Sequence, residues 1–264
     1  MPPDFSGRNA QNCEDVEMRY AIFSDVHAYP AALEKVLADA DSLSADVRIC
    51  LGDIVGYGPD PVGAVKLCRD ACDLSVAGNH DAAVARQIST MFFIPRAQTA
   101  VARHQELLSD EDVAWLAALP MHVDREDFLG AHGEIHRRAG TVEAGFGYVL
   151  SDWDAFKTID ALPEGKTLAF VGHTHAACVW RQVRDEEPWL LQPKDMTLEP
   201  GVRYVINVGS VGYPRYHHET NYVIYDSEAR SVQFRHLAFD FNDYCGKMDG
   251  AGIDPPLWIP DTKK

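Results

Sequence analysis

RYAIFSDVH (residues 19–27) is the stretch on which the fold turns. Arg19 to Ser24 is apolar and rich in strand formers, and the run stops at Asp25-Val26-His27. Pro30 to Ala40 then reads as a helix, with Pro30 in its first turn and Leu33, Val36 and Leu37 on one face. The pattern recurs twice. VRICL (47–51) is a second strand that runs into Gly52-Asp53, and Pro61 to Asp70 is a second helix. Leu74 to Ala77 is a short third strand that runs into Gly78-Asn79-His80-Asp81. Strand alternating with helix predicts a largely parallel sheet covered by helices.

Beyond Asp81 the pattern changes. Residues 81–119 carry helical periodicity and little strand signal. Arg96 to Leu108 reads as one helix, and Ser109 as the N-cap of another over Asp110 to Ala118, with Pro120 after its end. Met91-Phe92-Phe93-Ile94-Pro95 lies outside any clear period. Its default reading is core packing, with an interface or the lip of a pocket as the other readings. Strands are predicted at Asp127–Ala131, Thr167–Val171, Arg203–Val208, Tyr222–Tyr225 and Val232–Leu237, the last two as a hairpin turning at Asp226 to Arg230. The expected fold class is α/β: two packed mixed β-sheets sandwiched between helices, four layers in all, with a helical insertion at about 82–120. Residues 1–17 read as a flexible tail, 18–239 as the domain, and 240–264 as a Gly- and Pro-rich surface segment.

Composition bounds the function. The 264 residues are 46% apolar and 24% charged, enough for a substantial core. No apolar run is long enough to span a membrane, and the polar N-terminus does not read as a secretory signal. The formal net charge of −16 argues against a protein that coats nucleic acid. It leaves a phosphate substrate open, because bound divalent cations reverse the local sign. The six cysteines, Cys13, Cys50, Cys68, Cys72, Cys178 and Cys245, form no C-x-x-C pair. The pattern suits a reducing cytoplasm. Assembly with copies of the same chain stays open.

The chemistry sits at strand ends. Residues of metal-binding type follow the apolar runs: Asp25 and His27, Asp53, Asn79 and His80, His132, then His173 and His175. In α/β sheets the C-terminal strand edge is where ligands bind, and adjacent glycines permit close backbone approach. A lone Asp-x-His is common and a lone Gly-Asn-His can be a turn. Five of the chain's 11 histidines at five such positions are harder to dismiss. The donors are imidazoles, two carboxylates and one amide oxygen, without sulfur. That mixture suits Mn, Fe, Zn, Co or Ni, with Mn favoured, over Ca or Mg alone. The donors outnumber what one ion needs, so two divalent transition-metal ions sharing a carboxylate are expected.

The ordered series Asp-Val-His, Gly-Asp-Ile-Val-Gly-Tyr-Gly-Pro, Gly-Asn-His-Asp, Ala-His-Gly, Gly-His-Thr-His and Asn-Val-Gly-Ser-Val-Gly resembles the calcineurin-like metallophosphoesterases. It is most similar to their small bacterial and archaeal members, over about Arg19 to Tyr225. The resemblance implies that Asp25, His27 and His175 hold one metal. It implies that Asn79, His132 and His173 hold the second and that Asp53 bridges them. His80 would face the leaving-group or phosphoryl oxygen, with Asp81 orienting its imidazole.

The implied reaction is hydrolysis of a small phosphodiester or phosphomonoester, a nucleotide being one candidate, by attack of metal-bound hydroxide. A dinucleoside-polyphosphate hydrolase or a Ser/Thr protein phosphatase is the alternative, and a non-catalytic scaffold the weaker one. Ser/Thr phosphatases of this superfamily carry a phosphate-gripping arginine after the bridging aspartate. Here Ile54-Val55-Gly56-Tyr57-Gly58-Pro59 has none. Arg215 is the candidate replacement, set against a plain solvated-loop reading. Arg137 and Arg138 call for the same caution.

Overall fold

The structure is a computed structural model that describes residues 18–215 and 218–253. The predicted tail at 1–17, Cys13, and residues 254–264 of the predicted surface segment lie outside the described residues. In chain order the elements begin with β1 (Arg19–Phe23), α1 (Pro30–Ser42), β2 (Val47–Cys50), α2 (Pro61–Ala71) and β3 (Leu74–Ser75). Next come α3 (Asn79–Val84), α4 (Pro95–Leu107), α5 (Asp110–Ala117), β4 (His122–Asp124) and β5 (Phe128–Ala131). A small hairpin, β6 (Ile135–Arg138) and β7 (Thr141–Ala144), precedes α6 (Asp152–Asp160) and β8 (Leu168–Val171). The remainder is β9 (Cys178–Val183), β10 (Trp189–Leu191), β11 (Met196–Thr197), β12 (Val202–Asn207), β13 (Glu219–Asp226), β14 (Ser231–Ala238) and α7 (Phe241–Ala251).

Two six-stranded sheets result, ordered β11-β14-β13-β1-β2-β3 and β10-β9-β12-β8-β5-β4. Each is mixed. β1, β2 and β3 are parallel, and so are β12, β8 and β5. The flanking strands β13 and β9 pair antiparallel with them. Side-chain alternation explains the layering, since successive residues of a strand face opposite sides. In β1, Ala21 and Phe23 face α1 and α2, whereas Ile22 faces the second sheet. In β8, Leu168 and Phe170 face the first sheet, whereas Ala169 and Val171 face Ala155 and Ile159 of α6. The inter-sheet core includes Phe128, Phe170 and Tyr225, with the rings of Phe128 and Phe170 edge-to-face at 5.2 Å. Helices outside, two sheets inside: this is the four-layer α/β fold expected from the sequence.

Several details depart from expectation. The cluster Met91–Pro95 is not core packing. Met91, Phe92 and Ile94 are 69%, 89% and 55% exposed, and only Phe93 packs inward. The described part of the surface segment, residues 240–253, is largely helical. It forms α7, capped by the Asp240 side chain, with Tyr244 and Met248 buried against Tyr29. Helix α6, strands β4, β9, β10 and β11 and the β6–β7 hairpin are short elements the periodicity did not reveal. No helix among the described residues is long and apolar enough to cross a membrane.

Helix α4 has a specific task near the site. His104 is fully buried, and its Nδ1 accepts from the Gly56 N–H at 3.0 Å. Its Nε2 therefore carries the proton and donates to the Gly58 carbonyl at 2.9 Å. A neutral imidazole thus clamps the loop that follows Asp53. Burial pushes His104 down to about 4 from the ordinary 6.5. Above pH ~6.5 native and unfolded forms are both neutral, so the clamp contributes fully. Below it the unfolded chain gains a proton that the native clamp refuses until about pH 4. The stabilisation is lost across that window, by up to about 3 kcal/mol. Comparing wild type with His104→Ala by chemical denaturation at pH 7.5 and pH 5, we expect the stability difference to shrink at pH 5. An unchanged difference would rule the clamp out.

Candidate metal centre

The C-terminal ends of the parallel strands in both sheets meet at one edge of the sandwich. Asp25 and His27 follow β1, Asp53 follows β2, and Asn79 and His80 open α3 after β3. From the second sheet His132 follows β5, and His173 and His175 follow β8. The structure brings all eight together, and apart from half-buried Asn79 they are buried, at 6% exposure or less. The turns that carry them are tight. Asp25, His27, Asp53, His173 and His175 all adopt left-handed backbone, with φ between 45° and 68°. Non-glycine residues take this conformation at a cost, and such strain clusters at functional sites. Glycines let the loops touch: a Cβ on Gly78 would lie 2.1 Å from Asp53 Oδ1, and one on Gly52 2.5 Å from Gly78 N.

Backbone carbonyls orient three of the imidazoles. His27 Nδ1 donates to Val55 O at 3.1 Å, His132 Nδ1 to Leu51 O at 2.8 Å and His175 Nδ1 to Tyr213 O at 2.7 Å. A carbonyl can only accept, so each Nδ1 carries the proton and each Nε2 presents a lone pair to the centre. Two groups of donors form. In one, His27 Nε2 and His175 Nε2 face each other at 3.2 Å, with Asp25 Oδ1 3.5 Å and 3.2 Å away. In the other, His132 Nε2 lies 3.0 Å from His173 Nδ1 and 3.2 Å from Asn79 Oδ1. Asp53 Oδ2 stands between the groups, 3.7 Å from His27 Nε2 and 3.3 Å from His132 Nε2.

This arrangement fits divalent cations. Two imidazole lone pairs cannot hydrogen-bond each other, so the facing nitrogens repel unless a cation lies between them. Asp25 Oδ1 is buried without a hydrogen-bond partner, a costly state for a carboxylate oxygen. The other carboxylate oxygens are satisfied by backbone: Asp25 Oδ2 accepts from His173 N–H at 3.0 Å, and Asp53 Oδ1 from His80 N–H at 2.8 Å. Asp25, His27 and His175 converge closely enough to hold an ion, as do Asp53, His132 and His173, and also His27, Asp53 and His80.

Electrostatics agree with the geometry. Burial opposes ionisation of Asp25 and Asp53, yet the surrounding imidazoles, His175 for Asp25 and His132 for Asp53, hold both well below the ordinary carboxylate value. Burial likewise opposes a charge on His132, but Asp53 holds its pKa up at about 9, so without a cation Nε2 carries a proton at the spot where a bound ion would take the proton's place. The pocket draws positive charge to this point.

Asp81 does not do what its position beside His80 implied. Its carboxylate accepts from Gly78 N–H at 2.9 Å and Val55 N–H at 3.1 Å, while His80 Nδ1 has no hydrogen-bond partner. The reason is local. Asp81 is the third residue of α3, where a carboxylate turns back to the helix start. It braces two loops and leaves the imidazole unaided. Burial, then Asp53, raises its pKa to about 7. Burial pushes His80 down to about 3.

A cavity of about 440 Å³ opens over the centre. Asn79, His80 and His173 line its floor side, with Tyr57, Phe93, Tyr148 and Arg215 around them. The Arg215 guanidinium lies 5.3 Å from the Tyr213 ring and 5.7 Å from the Tyr57 ring, and its Nη2 donates to Tyr57 Oη at 3.3 Å. Arg137 and Arg138 are exposed and outside this cavity, and Arg137 is spent on the Leu162 carbonyl. Sequence reasoning missed the brace beneath the site. Asn207 Nδ2 donates to Gly172 O at 2.6 Å and Thr174 Oγ1 at 3.0 Å, and Ser210 Oγ donates to Asp25 O at 3.1 Å. The Asn-Val-Gly-Ser motif carried that signal, since buried polar groups demand partners.

Comparison with known proteins places the chain. Residues 18–230 match the calcineurin-like phosphoesterase superfamily domain. An uncharacterised protein of Methanocaldococcus jannaschii is 30% identical over 226 residues, 85% of this chain and 89% of that one. A metallophosphoesterase from Sphaerobacter thermophilus is similar in structure, with a TM-score of 0.75 and 33% identity, over 91% of this chain and 96% of that one. A hypothetical protein of Pyrococcus horikoshii shares the fold at a TM-score of 0.69 and 16% identity, over 91% of this chain and 96% of that one. The chain belongs to the calcineurin-like phosphoesterase superfamily and is a hydrolase acting on phosphate esters.

Proposed function

We propose that the chain hydrolyses a small phosphodiester or phosphomonoester at a centre for two divalent transition-metal ions, Mn favoured. Asp25, His27 and His175 hold one ion, Asn79, His132 and His173 the other, and Asp53 belongs to both. The observation that carries this reading is the position of Asp53 Oδ2 between two sets of converging lone pairs, with Asp25 Oδ1 left unpaired beside one of them. When bound, the ions supply Lewis acidity to the phosphoryl oxygens and to the attacking water.

The chain's own residues do the rest. His80 lies near enough to His27 and Asp53 to join them, but seven donors already serve two ions and its ring lines the cavity, so we assign it to the substrate and not to a metal. From there an imidazole N–H stabilises the leaving oxygen as negative charge develops on it. Arg215, held over the two tyrosine rings, supplies the cation that residues 54–59 lack. That lack weighs against a phosphoprotein substrate. The exposed 91–95 patch would suit a scaffold, but Phe92, Phe93 and Ile94 are accounted for by lining the cavity. Free thiols at Cys50, Cys68, Cys72, Cys178 and Cys245 support a reducing, cytoplasmic setting.

Three outcomes test the reading. His80→Ala should retain its metal content by elemental analysis, while kcat on a Mn-loaded sample falls by about 10²–10⁴. Near-normal turnover would remove His80 from the mechanism. Asp53→Asn should lose occupancy at both metal positions, and loss of one ion alone would contradict the bridge. Arg215→Ala should lower kcat/KM by roughly tenfold or more, the scale of a charge-assisted hydrogen bond, with metal content unchanged.

A further inference from the structure

The cavity above the centre has walls of a particular kind. Phe92, Phe93 and Ile94 come from the segment between α3 and α4, and Phe146 and Tyr148 from the segment after β7. Phe93 leans on the His80 ring at 4.9 Å, and Tyr148 stacks on the His173 ring at 3.9 Å and 10°. Phe92 stands 89% exposed at the mouth, and Tyr148 is half exposed. Large apolar rings turned to solvent beside a reaction centre mark a place where an apolar ligand is covered. Of the residues lining the cavity, Arg215 is the only one with a full charge, and none is a carboxylate or lysine.

These facts constrain what is attached to the phosphoryl group. With the phosphate at the floor, beside Asn79, His80 and His173, the attached group must extend into the aromatic walls. A chain of further phosphates would meet one cation there, far fewer than its charge demands. A strongly polar arm would lose its hydration against Phe92, Phe93, Ile94 and Phe146, whose side chains carry no hydrogen-bonding group. A flat, uncharged ring would instead stack on them and bury apolar area. The volume of about 440 Å³ suits one such group with a short linker, and lies in the range of small-ligand pockets.

We infer that Phe92, Phe93 and Ile94 on one side and Phe146 and Tyr148 on the other form a clamp that selects phosphate esters bearing one planar, uncharged aromatic ring, whether aryl or nucleobase. This deepens the phosphoesterase reading and rests on it. Phe92 is the specificity-determining residue that can be changed with least effect on the fold, because it is almost wholly exposed.

The test compares phenylphosphonate with methylphosphonate, neither of which is hydrolysed, binding to the Mn-loaded full chain in a calorimeter. Wild type should bind the phenyl ligand about tenfold more tightly, roughly what one stacking contact is worth. Phe92→Ala should bring the two affinities together, and Phe92→Tyr should restore the gap. Equal affinities in wild type, or a gap untouched by Phe92→Ala, would overturn the clamp. So would a Phe92→Ala variant that keeps the gap but changes sedimentation mass, since the patch would then be a contact between copies. Parallel kcat/KM values for phenyl phosphate, thymidine 5′-monophosphate and glycerol phosphate separate the sources. The ester that loses most on Phe92→Ala names aryl or nucleobase. Turnover without ring preference sinks the clamp alone, whereas no turnover of any ester with metal bound sinks the phosphoesterase reading beneath it.

Discussion

Two carboxylates, Asp25 and Asp53, are buried side by side at the meeting edge of two sheets, and the rest of the structure depends on how their charge is held. Burying an anion is expensive unless it is paired. The protein answers partly with backbone, since the N–H groups of His173 and His80 each take one oxygen. The oxygens that remain face imidazole nitrogens. Those nitrogens in turn are aimed by the carbonyls of Val55, Leu51 and Tyr213, residues in loops that exist only when the fold is complete. The centre and the fold are therefore one cooperative object.

Much of this was legible in the sequence, for identifiable reasons. RYAIFS and VRICL read as strands because they are short apolar runs rich in strand formers, and Ala21 to Phe23 and Ile49 to Cys50 are fully buried. The donors were legible because chemistry of this kind needs particular side chains at strand ends, and glycine beside them. What sequence could not give was direction. Asp81 follows His80 in the chain, yet helix geometry turns its carboxylate back to Gly78 and Val55. Phe92 and Ile94 looked like core because apolarity says nothing about exposure without the third dimension. His104 is separated from Gly56 and Gly58 by more than 40 residues, so no local pattern joins them. Asn207 and Ser210 stood within a noted motif, but their part in bracing the Gly172 and Asp25 loops depends on contacts across both sheets.

The left-handed conformation of five donor residues points the same way. Short tight turns let Asp25 and His27, two residues apart, both reach the centre, as they do His173 and His175. A relaxed loop of the same sequence would direct neighbouring side chains apart. The strain is sustained because His104, Asn207 and Ser210 hold the loops from beneath, with hydrogen bonds that are themselves buried.

The donors divide between the sheets. Asp25, His27, Asp53 and Asn79 ride on the first, and His132, His173 and His175 on the second. Each donor set takes members from both. The spacing between the sheets is set elsewhere, by the rings of Phe128, Phe170 and Tyr225 packed between them. The apolar core is thus the ruler against which coordination distances are cut. A change in the volume of one of those rings would alter the spacing between donors carried on different sheets, so a substitution far from any donor atom would be felt at the centre.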